Sequence, residues 1–109
     1  MIEGYGAGGL KLAGTIYRPP LVIFDDVARL WSVTRIEDAT LDSILDLIAG
    51  QPEIILLGCG AKTLLPPKPL RESARMSGVP LETMDTGAAC RTYNILMNEG
   101  RRVAAALLA

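Results

Sequence analysis

Apolar positions follow a helical spacing in one part of the chain and form an unbroken run in the next. From Leu41 to Ile48 they recur at i, i+3, i+4 and i+7, which predicts an amphipathic helix that Thr40 caps and Gly50 ends. Residues 54–57 form a continuous β-branched and apolar run closed by Gly58, which is typical of a strand buried on both faces. The pattern therefore predicts a helix followed by an interior strand.

Strands and helices continue to alternate toward the end of the chain. The pattern predicts a helix from near Pro69 to Gly78, a short strand over 81–84, and a helix from Asp85 or Thr86 to Asn98. Residues 103–108 are rich in alanine, which favours helix. Only nine residues follow Gly100, however, so we expect a buried central strand there. This order predicts right-handed β-α-β units in one α/β domain over residues 1–109, with a mostly parallel sheet.

The first third of the chain has a weaker pattern. Four glycines among the first nine residues predict a flexible or tightly turned entry segment. Residues 10–12, 15–17 and 21–24 predict two short antiparallel strands or one bent pair, with Pro19-Pro20 at an edge or bulge. Asp25-Asp26 then predicts a turn, and residues 30–33 a further short strand.

Composition removes several classes of function. Histidine is absent from the 109 residues, which excludes His-based triads, dyads and metal sites, and two cysteines are too few for a four-thiolate site. We therefore predict no metal and no cofactor. A net charge of −1 without a basic cluster argues against nucleic acid as a partner. No apolar run approaches the roughly 20 residues of a membrane span, and no targeting segment is evident, so we expect a cytoplasmic protein with free thiols.

Two glycines follow the predicted interior strand and form the first candidate site. The residues are Gly58, Cys59 and Gly60. Because glycine has no side chain, the backbone N–H groups of this turn could approach an anion. Lys62-Thr63 imitates the end of a phosphate loop, but that motif needs glycine where Ala61 stands. The alternative is a tight turn from strand to loop.

The second candidate site is the passage from the strand at 81–84 into the third helix. Ligands bind at the carboxyl ends of strands in open α/β sheets, and a helix begins here at Asp85 or Thr86. Cys90 lies in the first turns beside Arg91, and both the helix N-terminus and this charge favour a thiolate. The alternative is that Cys90 is a small buried residue and that Arg91 pairs with Asp85. Cys59 could also approach Cys90 within disulfide reach, although no C-x-x-C motif supports a redox role.

The assembled motifs resemble the Mth-domain family, a family of unassigned function. The resemblance covers nearly the whole chain and rests on Gly4-Tyr5-Gly6 with Gly9, the segment around Trp31, Ile54–Gly60, Leu65-Pro66 and Leu81–Leu108. It implies a three-layer domain, with helices on one face of a mixed sheet and a helix plus a small N-terminal β-element on the other. Relatives carry small residues in a strand where this chain has Arg18-Pro19-Pro20, so the pairing there is expected to differ.

The resemblance carries over no catalytic residue, because none is established for the family. It implies a pocket lined by the turn after the interior strand and by the start of the third helix: Gly58, Cys59, Gly60, Asp85, Thr86, Cys90, Arg91 and Asn94. The relatives include a mitochondrial assembly factor for respiratory complex I and an adipogenesis-associated protein.

These observations favour a non-catalytic binding or assembly module that recognises a protein partner, linked to respiratory complex assembly by analogy. The alternative is a small-molecule-binding or enzymatic site at the strand ends around Gly60, Asp85 and Cys90. A third alternative is a homo-oligomeric scaffold. A contiguous exposed apolar patch would support the first hypothesis, and a cavity of at least about 300 Å³ at the strand ends would support the second.

Overall fold

Residues 1–6 and 8–109, the part of the chain that the computed structural model describes, form eight strands and three α-helices. The strands are β1 (Ile2–Gly6), β2 (Gly9–Leu12), β3 (Thr15–Tyr17), β4 (Leu21–Phe24), β5 (Val27–Leu30), β6 (Ile54–Cys59), β7 (Leu81–Met84) and β8 (Val103–Leu108). The helices are α1 (Leu41–Leu45), α2 (Lys68–Ser77) and α3 (Thr86–Asn98), and a short 3₁₀ turn covers Ile36–Asp38.

These strands form two sheets. In the described part of the chain, β1, β2 and β3 make a small antiparallel sheet, and the main sheet has the order β5-β4-β8-β6-β7. The neighbours β8, β6 and β7 are parallel, whereas β4 is antiparallel to both β5 and β8. Four of the five main strands therefore point one way, which confirms the α/β fold with a mixed, mostly parallel sheet.

The two faces of the main sheet carry separate cores. Ile55 and Leu57 of β6 point to the face covered by α1 and α2, and Leu56 points to the opposite face. That opposite face is covered by α3 and the small sheet, where Tyr93 is fully buried. A helical layer, the sheet, and a layer of helix plus small sheet confirm the predicted three-layer arrangement.

The alanine-rich end of the chain is a central strand, as predicted. All of β8 is buried, and it pairs with β4 on one side and β6 on the other. Its helical propensity is therefore overridden by burial and by two ladders of backbone hydrogen bonds.

The prediction for the glycine-rich start is wrong over residues 2–6. Residues 2–6 form strand β1, which pairs with β2 and has an irregularity between Ile2 and Gly4. Ile2 is buried against the main sheet, and this burial together with ladder pairing outweighs the backbone freedom of the glycines. Pro19-Pro20, expected at an edge or bulge, lies where the chain passes from the small sheet to the main one.

The turn at Asp25-Asp26 is confirmed, and it joins the hairpin strands β4 and β5. The strand that follows the turn is displaced from its predicted position. Both aspartates have positive φ, 51° and 58°, as a two-residue turn between β4 and β5 requires. The strand covers Val27–Leu30, whereas Trp31 and Val33 leave the sheet and pack beside α1. The Trp31 indole N–H donates to Ser43 Oγ at 3.1 Å, which fixes the indole ring beside α1.

Helix α1 begins as predicted and ends early. Thr40 caps it by accepting the N–H of Ser43 at 3.1 Å. Beyond Leu45 the backbone tightens into i→i+3 hydrogen bonds, in which the Ile48 N–H donates to the Leu45 carbonyl. The chain therefore continues to turn as far as Ile48, as the apolar spacing indicates, but this last turn is not α-helical.

Candidate functional site

The turn after β6 is closed by hydrogen bonds within the protein. The Gly60 N–H donates to Thr86 Oγ1 at 2.8 Å, and the Thr86 hydroxyl donates to the Leu108 carbonyl at 2.7 Å. The Thr86 N–H also donates to the Gly60 carbonyl at 2.8 Å. Thr86 is fully buried. It thus joins the ends of β6 and β8 to the start of α3, and the Gly60 N–H expected to face an anion is already bonded.

The glycines of this turn serve close packing. A Cβ at Gly58 would lie 2.9 Å from Leu107 Cδ2 and 3.0 Å from Thr86 Cα, so only glycine lets α3 approach β6 here. Gly60 has a φ of +85°, and a Cβ there would lie 2.6 Å from the Ala109 carbonyl oxygen.

Asp85 begins α3. Its Oδ1 accepts the N–H of Ala88 at 2.8 Å, so it is the N-cap, which the sequence had left open between Asp85 and Thr86. Its carboxylate is thus engaged with the helix start, where its charge also complements the helix dipole.

Cys90 is a buried thiol. Burial raises its pKa to about 11, although the charge of Arg91 acts in the opposite direction. The thiolate expected from the helix N-terminus and Arg91 is therefore not favoured near neutral pH. Removal of the thiol from water outweighs both effects.

The two cysteines belong to different faces of the sheet. Cys59 packs in the core beneath α1 and α2, with its Sγ 3.7 Å from the Leu57 carbonyl oxygen, whereas Cys90 packs in the core beneath α3. Both are free. The idea that they approach within disulfide reach is wrong, because β6 places the Cys59 side chain on the face opposite α3.

Asn94 holds strand β1 against α3. Its Oδ1 accepts the Ile2 N–H at 2.8 Å, and its Nδ2 donates to the Ile2 carbonyl at 2.7 Å. The side-chain amide therefore bonds β1 as a neighbouring strand would. Nearby, the Tyr93 hydroxyl donates to Asp26 Oδ1 at 2.8 Å and ties α3 to the β4–β5 hairpin.

A cavity of about 290 Å³ lies between β1 and α3. Three of the eight predicted pocket residues line it, Cys90, Arg91 and Asn94, whereas the other five belong to the closed turn and the helix cap. The remaining lining residues are Ile2, Glu3, Gly4, Tyr5 and Gly87. Burial, together with the neighbouring Cys90 and Asp85, raises the pKa of the Tyr5 hydroxyl.

A larger cavity, about 500 Å³, lies between α2 and the edge strand β7, and sequence reasoning missed it. We call it the edge groove; it is lined by Leu65, Pro66, Arg71, Ala74, Arg75, Gly78, Val79, Pro80, Leu81 and Thr83. Leu65 is 75% exposed beside it. The available signal was the run Leu64-Leu65-Pro66-Pro67, apolar residues in a segment that forms neither a helix nor a strand.

Within residues 1–6 and 8–109, no group of three or more His, Cys, Asp or Glu side chains is placed to hold a metal ion. None of the helices found there has both the length and the apolar character needed to cross a membrane.

Comparison with known proteins agrees with the fold. A family model described as a protein of unknown function (DUF498/DUF598) matches residues 2–108. The solved structure of a Bordetella parapertussis protein superposes with a TM-score of 0.86 at 36% identity, covering 98% of this chain and 92% of that one. A Mth938-like domain of Bordetella pertussis superposes with a TM-score of 0.79 at 31% identity, covering 98% and 84%. The resemblance to the Mth-domain family is thus confirmed.

Two curated relatives extend the comparison. An uncharacterised protein of Rhodobacter capsulatus is 41% identical over 98% of this chain and 82% of its own length. NADH dehydrogenase (ubiquinone) 1 alpha subcomplex assembly factor 3 of Mus musculus is 30% identical over 98% of this chain. The chain spans 59% of the length of that mouse protein.

Proposed function

This chain belongs to the family of proteins of unknown function DUF498/DUF598, and we propose that it is a binding module of the assembly-factor type that recognises a protein partner. The observation that carries the proposal is the edge groove. It is an open, mainly apolar surface on which Leu65 is 75% exposed, and exposed apolar surface of this kind is typical of sites that contact proteins.

The mouse assembly factor suggests the class of partner. Because that relative is named for the assembly of NADH dehydrogenase, we extend the proposal to a subunit or assembly intermediate of a respiratory complex. In this proposal the chain works in the cytoplasm and reaches such a complex through its partner. The analogy covers only the shared domain, since 59% of the mouse protein is matched.

A quantitative pull-down tests the proposal. The tagged chain is recovered from its native cell, and proteins in the soluble and membrane fractions are identified separately by mass spectrometry. We expect reproducible enrichment of one partner, which the purified chain then binds directly. A bait that repeatedly returns alone would contradict the proposal.

A matched pair of variants locates the contact. Leu65→Glu places a charge at the edge groove, and Leu30→Glu places the same charge on strand β5, where Leu30 is 78% exposed. Because both side chains lie largely in water, neither change should unfold the chain. We expect Leu65→Glu to abolish capture of the partner and Leu30→Glu to leave it unchanged.

The cavity between β1 and α3 supports a second candidate function, binding of a small ligand. It brings Cys90, Arg91 and Asn94 together with Tyr5 in about 290 Å³, near the volume expected of a ligand site. The raised pKa of Cys90 favours binding over covalent catalysis. A metabolite panel screened by thermal stabilisation tests it, since a ligand that binds only the folded chain raises the melting temperature by an amount that grows with the logarithm of ligand concentration. No stabilisation by any compound would remove this candidate.

A further inference from the structure

Strand β7 presents unpaired backbone groups at the edge of the main sheet. Among the described residues it pairs with β6 alone. The Ile55 N–H donates to the Pro80 carbonyl at 2.9 Å, so Pro80 faces β6. Because backbone groups alternate in direction along a parallel ladder, the N–H and C=O groups of Leu81 and Thr83 face away from β6.

The outward-facing residues are also part of the edge groove. Leu81 and Thr83 both line it, across from Arg71, Ala74 and Arg75 of α2. A strand added beside β7 would therefore bond its backbone to Leu81 and Thr83 and place every second side chain in the groove. Peptide-binding domains that extend a sheet use this combination of a free strand edge and an adjacent pocket.

The charge of the residues that line the edge groove favours one kind of added strand. Of the ten described residues that line the groove, two are arginines and none is acidic. The Nε–H of Arg71 donates to the Pro66 carbonyl at 3.2 Å, which holds the guanidinium at the rim. Arg75 pairs with Glu72 at 2.9 Å, an exposed contact that a carboxylate of a partner could replace at small cost.

The opposite edge of the sheet lacks this combination. Strand β5 also has one free edge, but the cavity beside it measures only about 100 Å³, and its lining includes one acidic and one basic residue, Asp25 and Arg29. The β5 edge therefore offers unpaired backbone groups without a pocket for the side chains of an added strand.

From these contacts we propose that the edge groove binds an extended, acidic segment of the partner protein, which adds to the main sheet as a strand beside β7. Apolar side chains of that segment occupy the groove at alternate positions, and its carboxylates meet Arg71 and Arg75. This inference rests on the proposed function, since it specifies how the module would recognise its partner.

Peptide selection followed by amide exchange tests the inference. Random short peptides are displayed and selected on the wild-type chain, and the most enriched sequence is synthesised and titrated into the ¹⁵N-labelled protein. We expect acidic peptides with alternating apolar residues, and slowed hydrogen exchange at the amides of Leu81 and Thr83. Enrichment of basic peptides, protection at β5 or at the start of α3, or no enrichment at all would overturn the inference.

Proline substitutions provide matched controls. Thr83→Pro removes an N–H that faces outward, so pairing with β6 is kept while the added strand loses a hydrogen bond. Because the Trp31 N–H donates to the Pro20 carbonyl, Leu30 has its N–H outward on the other edge, and Leu30→Pro is the equivalent change there. We expect about a tenfold or greater loss of peptide affinity for Thr83→Pro and none for Leu30→Pro.

A charge reversal keeps the test decisive if Thr83→Pro fails to fold. The double variant Arg71→Glu/Arg75→Glu alters exposed side chains of α2 and should reverse the preference from acidic to basic peptides. Unchanged binding of the acidic peptide would overturn the inference. A dimeric solution mass that Thr83→Pro converts to a monomeric one would also overturn it, because a second copy of this chain would then occupy β7. If the partner captured by pull-down binds the purified Thr83→Pro variant as well as wild type, strand addition fails while the proposed function stands.

Discussion

The carboxyl ends of the central strands and the edge at β7 differ in where their polar groups point. At the strand ends, Gly60, Thr86 and Leu108 bond to one another, and the Asn94 amide is occupied by strand β1. At the β7 edge, the backbone groups of Leu81 and Thr83 face outward beside an apolar groove. Glycines after a buried strand are therefore not enough to indicate an anion site, because the same glycines allow a helix to pack closely. Recognition is expected where polar groups remain unused.

The largest effect is expected from the buried hydroxyl at the strand ends. Thr86→Val removes one acceptor and one donor, which leaves the Gly60 N–H and the Leu108 carbonyl unsatisfied in the interior. We expect a loss of about 2–4 kcal/mol in the free energy of unfolding, measured by urea denaturation.

Thr92→Val is the control for that substitution. Thr92 lies in the same helix and is only partly buried, so its loss should stay within about 0.5 kcal/mol. Equal losses for the two variants would contradict a closed strand-end turn.

The next effect concerns close packing of α3 on β6. Gly58→Ala forces a Cβ against Leu107 and Thr86, and should cost about 1–3 kcal/mol of stability. At Gly4 nothing lies within 4 Å of an added Cβ, so Gly4→Ala is the matched control and should have little effect. Thermal unfolding compares the two, and a neutral Gly58→Ala would argue that the turn has room for a ligand.

A smaller effect is expected for the two hydrogen bonds between Asn94 and Ile2, which hold β1 against α3. Asn94→Ala removes both hydrogen bonds to Ile2 and should cost about 1–2 kcal/mol, with faster hydrogen exchange at the Ile2 amide. Asn98 lies one turn further along α3 and is exposed, so Asn98→Ala should change neither quantity. If Asn94→Ala leaves hydrogen exchange at the Ile2 amide unchanged, the role of Asn94 in holding β1 would be contradicted.

Much of the fold could be predicted because its signals are local. The apolar run of β6 and a cap of α3 at Asp85 or Thr86 follow from patterns within a few residues. The strand β8 was predicted from the nine residues that follow Gly100, against the helical propensity of its alanines. The cavity between β1 and α3 was predicted only in part, because it depends on Asn94 binding Ile2 across 92 positions of the chain. The glycines of β1 also indicated a turn, and nothing in that segment reveals its partner strand.

The edge groove could not be predicted from periodicity. It exists because β7 is the last strand of the sheet, and strand order depends on which strands meet in space. The short apolar pattern of 81–84 would be the same in a central strand. The one signal in the sequence was the apolar run of residues 64–67, which forms neither a helix nor a strand.

The last prediction concerns the reactivity of the Cys90 thiol and involves no change in the stability of the chain. With a pKa of about 11 against an ordinary value of 9.0, Cys90 should hold about 100-fold less thiolate than an exposed cysteine near neutral pH. Alkylation of the folded chain by iodoacetamide, followed at the Cys90 peptide by mass spectrometry, should be slower by at least this factor than in the urea-unfolded chain. Equal rates would restore Cys90 as a candidate nucleophile.

We propose that the β7 edge, and not the strand ends, contacts the partner. Hydrogen exchange of the wild-type chain, measured alone and with the partner captured by pull-down, distinguishes the two regions. We expect new protection at the amides of Leu81 and Thr83 and unchanged exchange at Leu30. Protection confined to residues 87–91 or to β5, with Leu81 and Thr83 still exchanging freely, would contradict it.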